Sequence, residues 1–396
     1  MLNAAGKVTK ILRREGATGI VNRLRYRRDD ALMRDSGDDS RRCFVLLGKG
    51  QLRTSFHTEL RRHGLLARGR GPLAAQKILF NPLPVELDDT SIAAVVLDDA
   101  YLASIRPADL ELIAGLTSGC HVLVRSQPAV ERALAMGVAR QNLILLPPNR
   151  GAGAMQMSIA RWLVYANLLK PEVYLQAVLK HGPTLRSRDR VCISLPEHAE
   201  RRAMFQSGTG TDFVLIDGVR MLPGWKGCAW SYKTIASKAL QSGAKRLTIC
   251  EDDACFSPNF TNYFKALNRY LDRAEWDVFN GVMTRIEGRP EIVLRRKLGD
   301  KHIIHTPHMM GMVFNVYNRS ALEWLADWNP EAGDVATNTI DEWMNTMPGL
   351  RVISAVPFLA GHRDDVHSTI FGFRNTRYSG MIRATETEIL SMLGPG

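Results

Sequence analysis

The chain contains 396 residues, which exceeds the size of one ordinary core and predicts two or three domains. Its 45% hydrophobic and 23% charged residues exclude disorder as the main state, and its sequence has no uncharged apolar stretch of about 20 residues that would cross a membrane. The net charge of +12, from 52 basic and 40 acidic residues, favours a phosphate-bearing or otherwise anionic partner.

The first segment, residues 1–40, is rich in arginine and lysine, with apolar residues at near-helical spacing. One interpretation is an amphipathic helix on an anionic membrane, with residues 1–34 making a peripheral contact at the inner face of the plasma membrane. The other is a solvated basic helix on the domain behind it, because Gly16 and Gly19 interrupt the pattern. The segment lacks the apolar run of a secretory signal, so we expect a cytoplasmic protein.

Residues 41–180 alternate short apolar runs with helix-like stretches, which predicts βα repeats on a parallel sheet. The apolar runs are CFVLLG, IAAVVLDD, HVLV and NLILLP. We therefore expect a Rossmann-like α/β domain. Its turn GKGQLRT carries Gly48 and Gly50 but lacks the third glycine of a dinucleotide-binding loop, so we expect docking or assembly from this domain rather than catalysis.

A second domain, residues 186–396, is predicted to follow a boundary within 180–190, where a Gly-Pro pair and clustered charge precede the apolar run RVCISL. Further on, the apolar run 247–250 leads directly into three carboxylates, Glu251, Asp252 and Asp253. Adjacent like charges at a strand end repel one another unless a cation lies among them, and Mg²⁺ or Mn²⁺ prefers oxygen ligands. The alternative interpretation of this acidic cluster is a solvated turn.

The order of motifs in this second domain resembles glycosyltransferase family 25, which contains lipopolysaccharide and collagen galactosyltransferases. The matching pieces are Ile193-Ser194-Leu195 with Glu200-Arg201, then Asp217-Gly218, GCAWSY from Gly227, Glu251-Asp252-Asp253, the segment 305–325 and Ile340-Asp341-Glu342. Together they cover about residues 191–371. Two positions depart from the family pattern, with Tyr232 in place of a histidine and Thr369 in place of an aspartate.

The resemblance implies a GT-A-like fold and an inverting, metal-dependent transfer of a sugar, with galactose as one candidate. The donor is a nucleotide sugar, and the acceptor is a surface glycan or a lipid-linked, lipopolysaccharide-type glycan. Donor binding is assigned to Ser194, Leu195, Arg201, Asp217, Ser231 and Asp252. Mn²⁺ or Mg²⁺ is assigned to Glu251 and Asp253, because strand alternation points these two side chains to one side and Asp252 to the other. A late histidine, His362 or His367, is expected to complete the ligand set, and we assign His362.

An inverting transfer requires a carboxylate base beside the acceptor hydroxyl. Asp341 is our candidate, because Ile340 and Trp343 flank it with apolar surface, and a dry environment makes a carboxylate a better base. The alternative role of Asp341 is the N-cap of a helix that begins at Glu342.

The competing hypothesis is a catalytically inactive protein with a glycosyltransferase fold that binds or scaffolds during glycan assembly, and it is motivated by Tyr232 and Thr369. Nucleic acid is not an expected partner. The basic runs Arg201-Arg202 and Arg295-Arg296-Lys297 lack the interleaved aromatic residues and the recognised modules of nucleic-acid-binding proteins.

Overall fold

A computed structural model describes residues 44–67, 76–82, 92–115, 120–146, 151–208, 212–286, 296–298, 300–368 and 374–393. Within these ranges the chain forms two compact units, which divide between Pro183 and Thr184. The basic segment 1–40 lies outside the described residues, so both interpretations of it stay predictions. Of the helices that the structure describes, none is long and apolar enough to cross a membrane.

The N-terminal unit is built on a five-stranded sheet whose neighbouring strands are all parallel. Its strands lie in chain order: β1 Phe44–Gly48, β2 Gln76–Phe80, β3 Ile92–Leu97, β4 His121–Val124 and β5 Leu143–Leu145. Its helices are α1 Arg53–Arg62, α2 Asp99–Ser104, α3 Pro107–Gly115, α4 Gln127–Ala135, α5 Gly151–Tyr165 and α6 Pro171–His181, with a short 3₁₀ helix at Arg140–Asn142. The predicted α/β class with a parallel sheet is confirmed.

Helices cover both faces of this sheet, which explains why its strands are continuous apolar runs rather than alternating ones. On one face, Phe80 of β2 packs with Phe56 of α1 and Trp162 of α5. On the other face, Val95 of β3 packs in a cluster that includes Val130 of α4. The N-terminal unit therefore has three layers.

The turn after β1 is held by contacts within the unit. Gly48 has a φ of 81°, and a Cβ atom there would lie 2.2 Å from the carbonyl oxygen of Phe80, so packing requires glycine. Asp98, at the end of β3, accepts hydrogen bonds from the Gln51 backbone (3.2 Å) and from Asn81 Nδ2 (3.0 Å). This turn thus connects neighbouring strand ends, as expected for a structural element.

The C-terminal unit contains a mixed eight-stranded sheet in the order β11-β12-β14-β10-β13-β8-β6-β7. The strands are β6 Arg190–Ser194, β7 Val214–Asp217, β8 Arg246–Glu251, β10 Val278–Asn280, β11 Arg296–Leu298, β12 Lys301–Thr306, β13 Phe314–Asn318 and β14 Val352–Val356. A separate ribbon pairs β9 Ala254–Phe256 with β15 Ala360–His362. The helices are α7 Ala199–Gly208, α8 Gly224–Gln241, α9 Phe260–Leu271, α10 Arg319–Ala326, α11 Ile340–Met344 and α12 Thr376–Leu393.

The strand order reverses at β6. The chain runs from β6 to β7 on one side and then crosses to β8 on the other side, and β6 is parallel to both. In open α/β sheets, ligands bind at the carboxyl ends of the strands where such a reversal occurs. The topology therefore predicts a ligand site at the carboxyl ends of β6 and β8.

Aromatic side chains fix α8 beside this edge. Trp225 and Trp230 of α8 both contact the ring of Trp328 edge-on, at centroid distances of 6.4 and 5.8 Å. All three rings are buried. Aromatic pairs in this geometry add to the stabilisation from their buried area, so the first half of α8 is held firmly in place.

A buried carboxylate ties the opposite ends of the strands together. Asp277 precedes β10, and its Oδ2 accepts hydrogen bonds from Arg351 N (3.0 Å) and Arg351 Nε (3.1 Å). Its Oδ1 accepts a hydrogen bond from Ser320 Oγ of α10 (2.6 Å). Although burial acts to raise it, the hydrogen bonds from Arg351 and Ser320 hold the pKa of Asp277 below its usual range.

We predict that Asp277→Ala lowers the free energy of unfolding by about 2 kcal/mol, because it removes the buried carboxylate that accepts hydrogen bonds from Arg351 and Ser320. Urea denaturation at neutral pH measures this loss. The control is Glu275→Ala, which removes the 89% exposed partner of the same Arg351 and should cost less than about 1 kcal/mol. Since the folded-state pKa of Asp277 is depressed, its contribution is present at neutral pH and is lost as pH falls. Equal losses in the two variants at neutral pH would contradict the assignment.

Candidate active site

Three strand ends supply the candidate site. Ser194 ends β6, Asp217 ends β7 and Glu251 ends β8. Ser194 lies opposite Asp217 in the parallel register, and Ile193 lies opposite Glu251. Because parallel strands end at the same edge, the sequence motifs that are far apart in the chain meet there.

A continuous chain of polar contacts runs along this edge. Arg202 of α7 donates from Nη2 to Asp217 Oδ1 (2.6 Å) and from Nε to Ser194 Oγ (3.1 Å). Ser194 Oγ in turn donates to Asp252 Oδ2 (2.5 Å). The structure therefore joins Ser194, Asp217 and Asp252, three of the predicted donor-binding residues, in one chain of contacts. Arg202 was not among the predicted residues, although it directly follows the predicted Arg201 in the chain.

Arg201 lies against two of the three acidic residues. Its Nη2 forms a close ion pair with Asp252 Oδ1 and lies 3.3 Å from Asp253 Oδ2. Its Nη1 donates to the carbonyl oxygen of His367 (3.2 Å). The guanidinium thus compensates the adjacent like charges and ties the late loop to the strand end.

The side chains of the three acidic residues do not alternate in direction as expected for a strand. Strand β8 ends at Glu251, and Asp252 and Asp253 lie in the turn that follows, so strand geometry no longer sets their directions. Both aspartates contact Arg201, whereas Glu251 Oε1 lies 3.6 Å from the donating thiol of Cys228. The expected opposition of Asp252 and Asp253 is not observed.

The three carboxylates have different electrostatic environments. Burial, with repulsion from Asp253, raises the pKa of Glu251 to about 7, and burial also raises the pKa of Asp252. Against the effect of burial, His362, Arg201 and the hydrogen bond from Asn375 hold the pKa of Asp253 well below its usual range. Of the three carboxylates, Asp253 is the one most strongly held in the charged form.

His362 is the late histidine that lies beside Asp253. The β9–β15 ribbon pairs it with Ala254, and its Nδ1 lies 3.6 Å from Asp253 Oδ2. His367 contributes a backbone carbonyl to Arg201 instead. The sequence left these two histidines open as alternatives, and the pairing of β15 with β9 favours His362.

The start of α12 supplies residues that the sequence reasoning missed. Asn375 Nδ2 donates to Asp253 Oδ2 (2.9 Å), and the Tyr378 ring stacks on His362 with centroids 4.7 Å apart and an interplanar angle of 18°. Ser379 donates a short hydrogen bond to Asp364. Positions i, i+3 and i+4 share one face of a helix. Polar residues at this spacing in NTRYS were the available signal.

These residues fit a divalent cation in part. Among the described residues, no group of three or more His, Cys, Asp and Glu side chains is arranged to hold a metal ion. However, the Oδ1 atoms of Asp253 and Asn375 are buried without a hydrogen-bond partner. Carboxylate and amide oxygens beside an imidazole suit Mn²⁺ or Mg²⁺, which often completes its shell with substrate phosphates.

Two predicted donor-binding residues act locally. Ser231 Oγ accepts from Val219 N (2.8 Å) and donates to Gly227 O (2.7 Å), so its hydroxyl fixes the loop after β7. Leu195 follows β6, and its carbonyl accepts a hydrogen bond from His198 N (3.0 Å). Both residues shape the edge of the site without presenting a side-chain donor to it.

The two departures from the family pattern have separate outcomes. Tyr232 is fully buried, and its hydroxyl donates to the Met312 carbonyl oxygen (2.7 Å). Tyr232 is therefore a core residue, and its identity does not indicate a missing polar group at the strand ends. Thr369 lies outside the described residues.

Asp341 lies in the first turn of α11, which begins at Ile340 after the N-cap residue Thr339. The alternative in which Asp341 caps a helix starting at Glu342 is therefore not observed, although Asp341 Oδ1 accepts a hydrogen bond from Glu342 N (3.1 Å). Together with burial and Glu251, the charge of Asp341 raises the pKa of the Cys228 thiol well above its usual range. The charge of Asp341 therefore acts on the same thiol that contacts Glu251.

The flanking residues of Asp341 pack as apolar surface. Ile340 is buried, and the Trp343 ring stacks on Trp324 of α10 with centroids 5.4 Å apart. Each indole nitrogen donates to the carbonyl oxygen of the other tryptophan, at 2.9 and 3.1 Å. This pairing anchors the short helix that carries Asp341.

No family model matches this chain, and no curated protein matches it either.

We predict that Tyr232→Phe lowers the free energy of unfolding by about 1–3 kcal/mol, because the Met312 carbonyl then lacks its buried donor. Binding of a nucleoside diphosphate should stay within about twofold of the wild type. Urea denaturation and isothermal titration calorimetry measure the two quantities. A large loss of nucleotide binding in a variant of unchanged stability would place Tyr232 in the site instead.

Proposed function

We propose that this chain is a glycosyltransferase that transfers a sugar from a nucleotide-sugar donor. The observation that carries the proposal is the polar chain Asp217–Arg202–Ser194–Asp252 at the carboxyl ends of β7, β6 and β8, where the strand order reverses. Such an edge is the usual ligand site of open α/β sheets. The resemblance to family 25 supports a GT-A-like fold, a surface-glycan or lipid-linked acceptor and galactose as a candidate sugar.

The donor diphosphate is assigned to the basic side of this edge. Arg201 and Arg202 are consecutive residues of α7 and bring two guanidinium groups to the acidic strand end. Guanidinium groups bind phosphate oxygens in bidentate geometry. As the bond between the sugar and the diphosphate breaks, negative charge grows on the leaving group, and these cations stabilise it.

Asp253 and His362 are the residues that would hold the divalent cation. When bound, the cation supplies neutralisation of the diphosphate, in addition to that from the arginines. Glu251 belongs to the electrostatic surroundings of this set rather than to its ligands, because its carboxylate meets the Cys228 thiol.

Asp341 is the proposed base. In an inverting transfer, its carboxylate accepts the proton of the acceptor hydroxyl while the hydroxyl oxygen attacks the anomeric carbon and the nucleoside diphosphate departs from the opposite side. The anchored helix α11 holds this carboxylate, which is half-buried beside the buried Ile340. The N-terminal unit is proposed to serve docking or assembly in the cytoplasm, since its Gly48 turn is explained by packing.

We predict that Asp253→Asn reduces donor hydrolysis or transfer by at least about 100-fold, because the neutral amide no longer holds the cation and the diphosphate beside it. A panel of nucleotide sugars with Mn²⁺ provides the assay. Asp212→Asn is the matched control, since Asp212 is exposed, pairs with Arg190 and precedes β7 at the opposite end of the strand from Asp217, and it should stay within about twofold. If the wild type neither binds nor hydrolyses any donor in the panel, the proposed function is wrong and the inactive scaffold becomes the better hypothesis.

We predict that Asp341→Asn lowers the transfer rate by about 10²- to 10⁴-fold while donor affinity stays within about twofold. The asparagine keeps an oxygen for Glu342 N, so folding should be preserved. Steady-state kinetics and nucleotide titration separate the two effects. Glu342→Gln, which alters the adjacent carboxylate and its ion pair with Arg285, is the control and should retain most of the rate. Transfer by Asp341→Asn at the wild-type rate would redirect the search for the base to Asp364 or Asp365.

A further inference from the structure

Three polar atoms from separate parts of the chain converge beside the acidic strand end. Asp253 Oδ2 lies 2.9 Å from Asn375 Nδ2, Asn375 Nδ2 lies 3.4 Å from His362 Nδ1, and His362 Nδ1 lies 3.6 Å from Asp253 Oδ2. Asp253 lies in the turn after β8, Asn375 at the start of α12 and His362 in β15. The atoms therefore form a small triangle.

The three residues of this triangle are buried, and two of them have another side-chain oxygen without a hydrogen-bond partner. Asn375 is 0% exposed, and the side chains of Asp253 and His362 are 6% and 7% exposed. The Oδ1 atoms of both Asn375 and Asp253 are buried and have no hydrogen-bond partner. Buried polar atoms are nearly always paired in native proteins, so each exception calls for an explanation such as a bound ion. A cation that takes the amide oxygen of Asn375 as a ligand would give one of these two oxygens a partner.

We propose that Asn375 is a further ligand of the divalent cation, and that its amide oxygen completes a three-donor face with Asp253 and His362. The inference rests on the proposed function and adds a residue to its metal site. A rotation of 180° about the terminal bond of Asn375 exchanges the nitrogen and the oxygen of its amide, so either atom can occupy its corner of the triangle. With its nitrogen there, the amide bridges Asp253 and His362. With its oxygen there, it coordinates the ion between them.

The dimensions of the triangle agree with this assignment. Neighbouring ligands of an octahedral ion that is bound at about 2.1 Å lie about 3.0 Å apart, and tetrahedral ones lie about 3.4 Å apart. The three edges of 2.9, 3.4 and 3.6 Å fall close to these separations. A carboxylate oxygen, an amide oxygen and an imidazole nitrogen form a donor set that Mn²⁺ accepts.

The first turn of α12 also supports the ligand beside Asn375. Tyr378, three residues further along, stacks on the His362 ring and restricts its orientation. Ser379 bonds to Asp364, two residues after His362. Groups that orient metal ligands usually affect affinity nearly as much as the ligands themselves. One helical turn thus provides both a ligand and the support of another.

Two substitutions of Asn375 distinguish a ligand from a simple hydrogen-bond donor. Asn375→Ala removes both functions. Asn375→Asp provides an anionic oxygen, so it should maintain or tighten cation binding if residue 375 is a ligand. If Asn375 acts solely by donating to Asp253, the same substitution places two carboxylates together without a donor and weakens binding. The two roles therefore predict opposite signs for Asn375→Asp.

The experiment titrates Mn²⁺ into the full chain and counts free Mn²⁺ by electron paramagnetic resonance, without any nucleotide sugar. We expect Asn375→Ala to weaken Mn²⁺ binding by at least about tenfold. Asn375→Asp is expected to bind at least as tightly as the wild type, and Asp253→Asn to lose binding. Thr376→Ala, a change at an exposed position of the same helical turn, is the control and should leave the affinity within about twofold of the wild type. Circular dichroism verifies folding, and loss of folding in one Asn375 variant leaves the other decisive.

Wild-type affinity in Asn375→Ala, or weaker binding in Asn375→Asp, would overturn the assignment of Asn375. If Asp253→Asn still abolishes binding in that case, the proposed metal site survives without Asn375. If the wild type itself binds no Mn²⁺, with or without added uridine diphosphate, the metal-dependent part of the proposed function fails together with this inference.

Discussion

Three consecutive carboxylates at the end of β8, with Asp252 and Asp253 buried and Glu251 half-buried, are the constraint on which the candidate site depends. Charges removed from water are costly unless partners compensate them. Each carboxylate has at least one partner. Glu251 contacts the Cys228 thiol, and Asp252 contacts Arg201 and Ser194. Asp253 shares Arg201 with Asp252 and also contacts His362 and Asn375. These partners come from α7, α8, the β9–β15 ribbon and the start of α12. The requirement to compensate one acidic turn thus organises much of the C-terminal unit.

The strands that position this turn were predictable, because their physical signal is local. Continuous apolar runs marked β1, β3, β4 and β5, and the runs before Ser194 and Glu251 marked β6 and β8. Strand β2 was missed because QKILF is short and opens with two polar residues. The register that brings Ser194, Asp217 and Asp252 together followed from the parallel pairing of β6, β7 and β8, which collects successive strand ends at one edge.

The non-local contacts of the site were not predictable in the same way. Strand alternation did not predict the side-chain directions of Asp252 and Asp253, because β8 ends at Glu251, one residue before Asp252. The periodicity of the sequence does not locate a strand end to a single residue. Arg202 was missed beside Arg201 because both arginines carry the same charge, and the helix phase decides which one reaches Ser194. Asn375 was missed because its partner Asp253 lies 122 residues away, a contact that depends on the packing of α12.

The central claim is that the carboxyl edge of β6 and β8 binds a nucleoside diphosphate. A crystal structure of the full chain with uridine diphosphate and Mn²⁺ tests it most directly. The account predicts phosphate oxygens within hydrogen-bonding distance of Arg201 or Arg202 and a cation in contact with Asp253. A nucleotide bound elsewhere, for example at the turn around Gly48 and Asp98 in the N-terminal unit, with the acidic strand end still occupied by its ion pairs, would contradict the account.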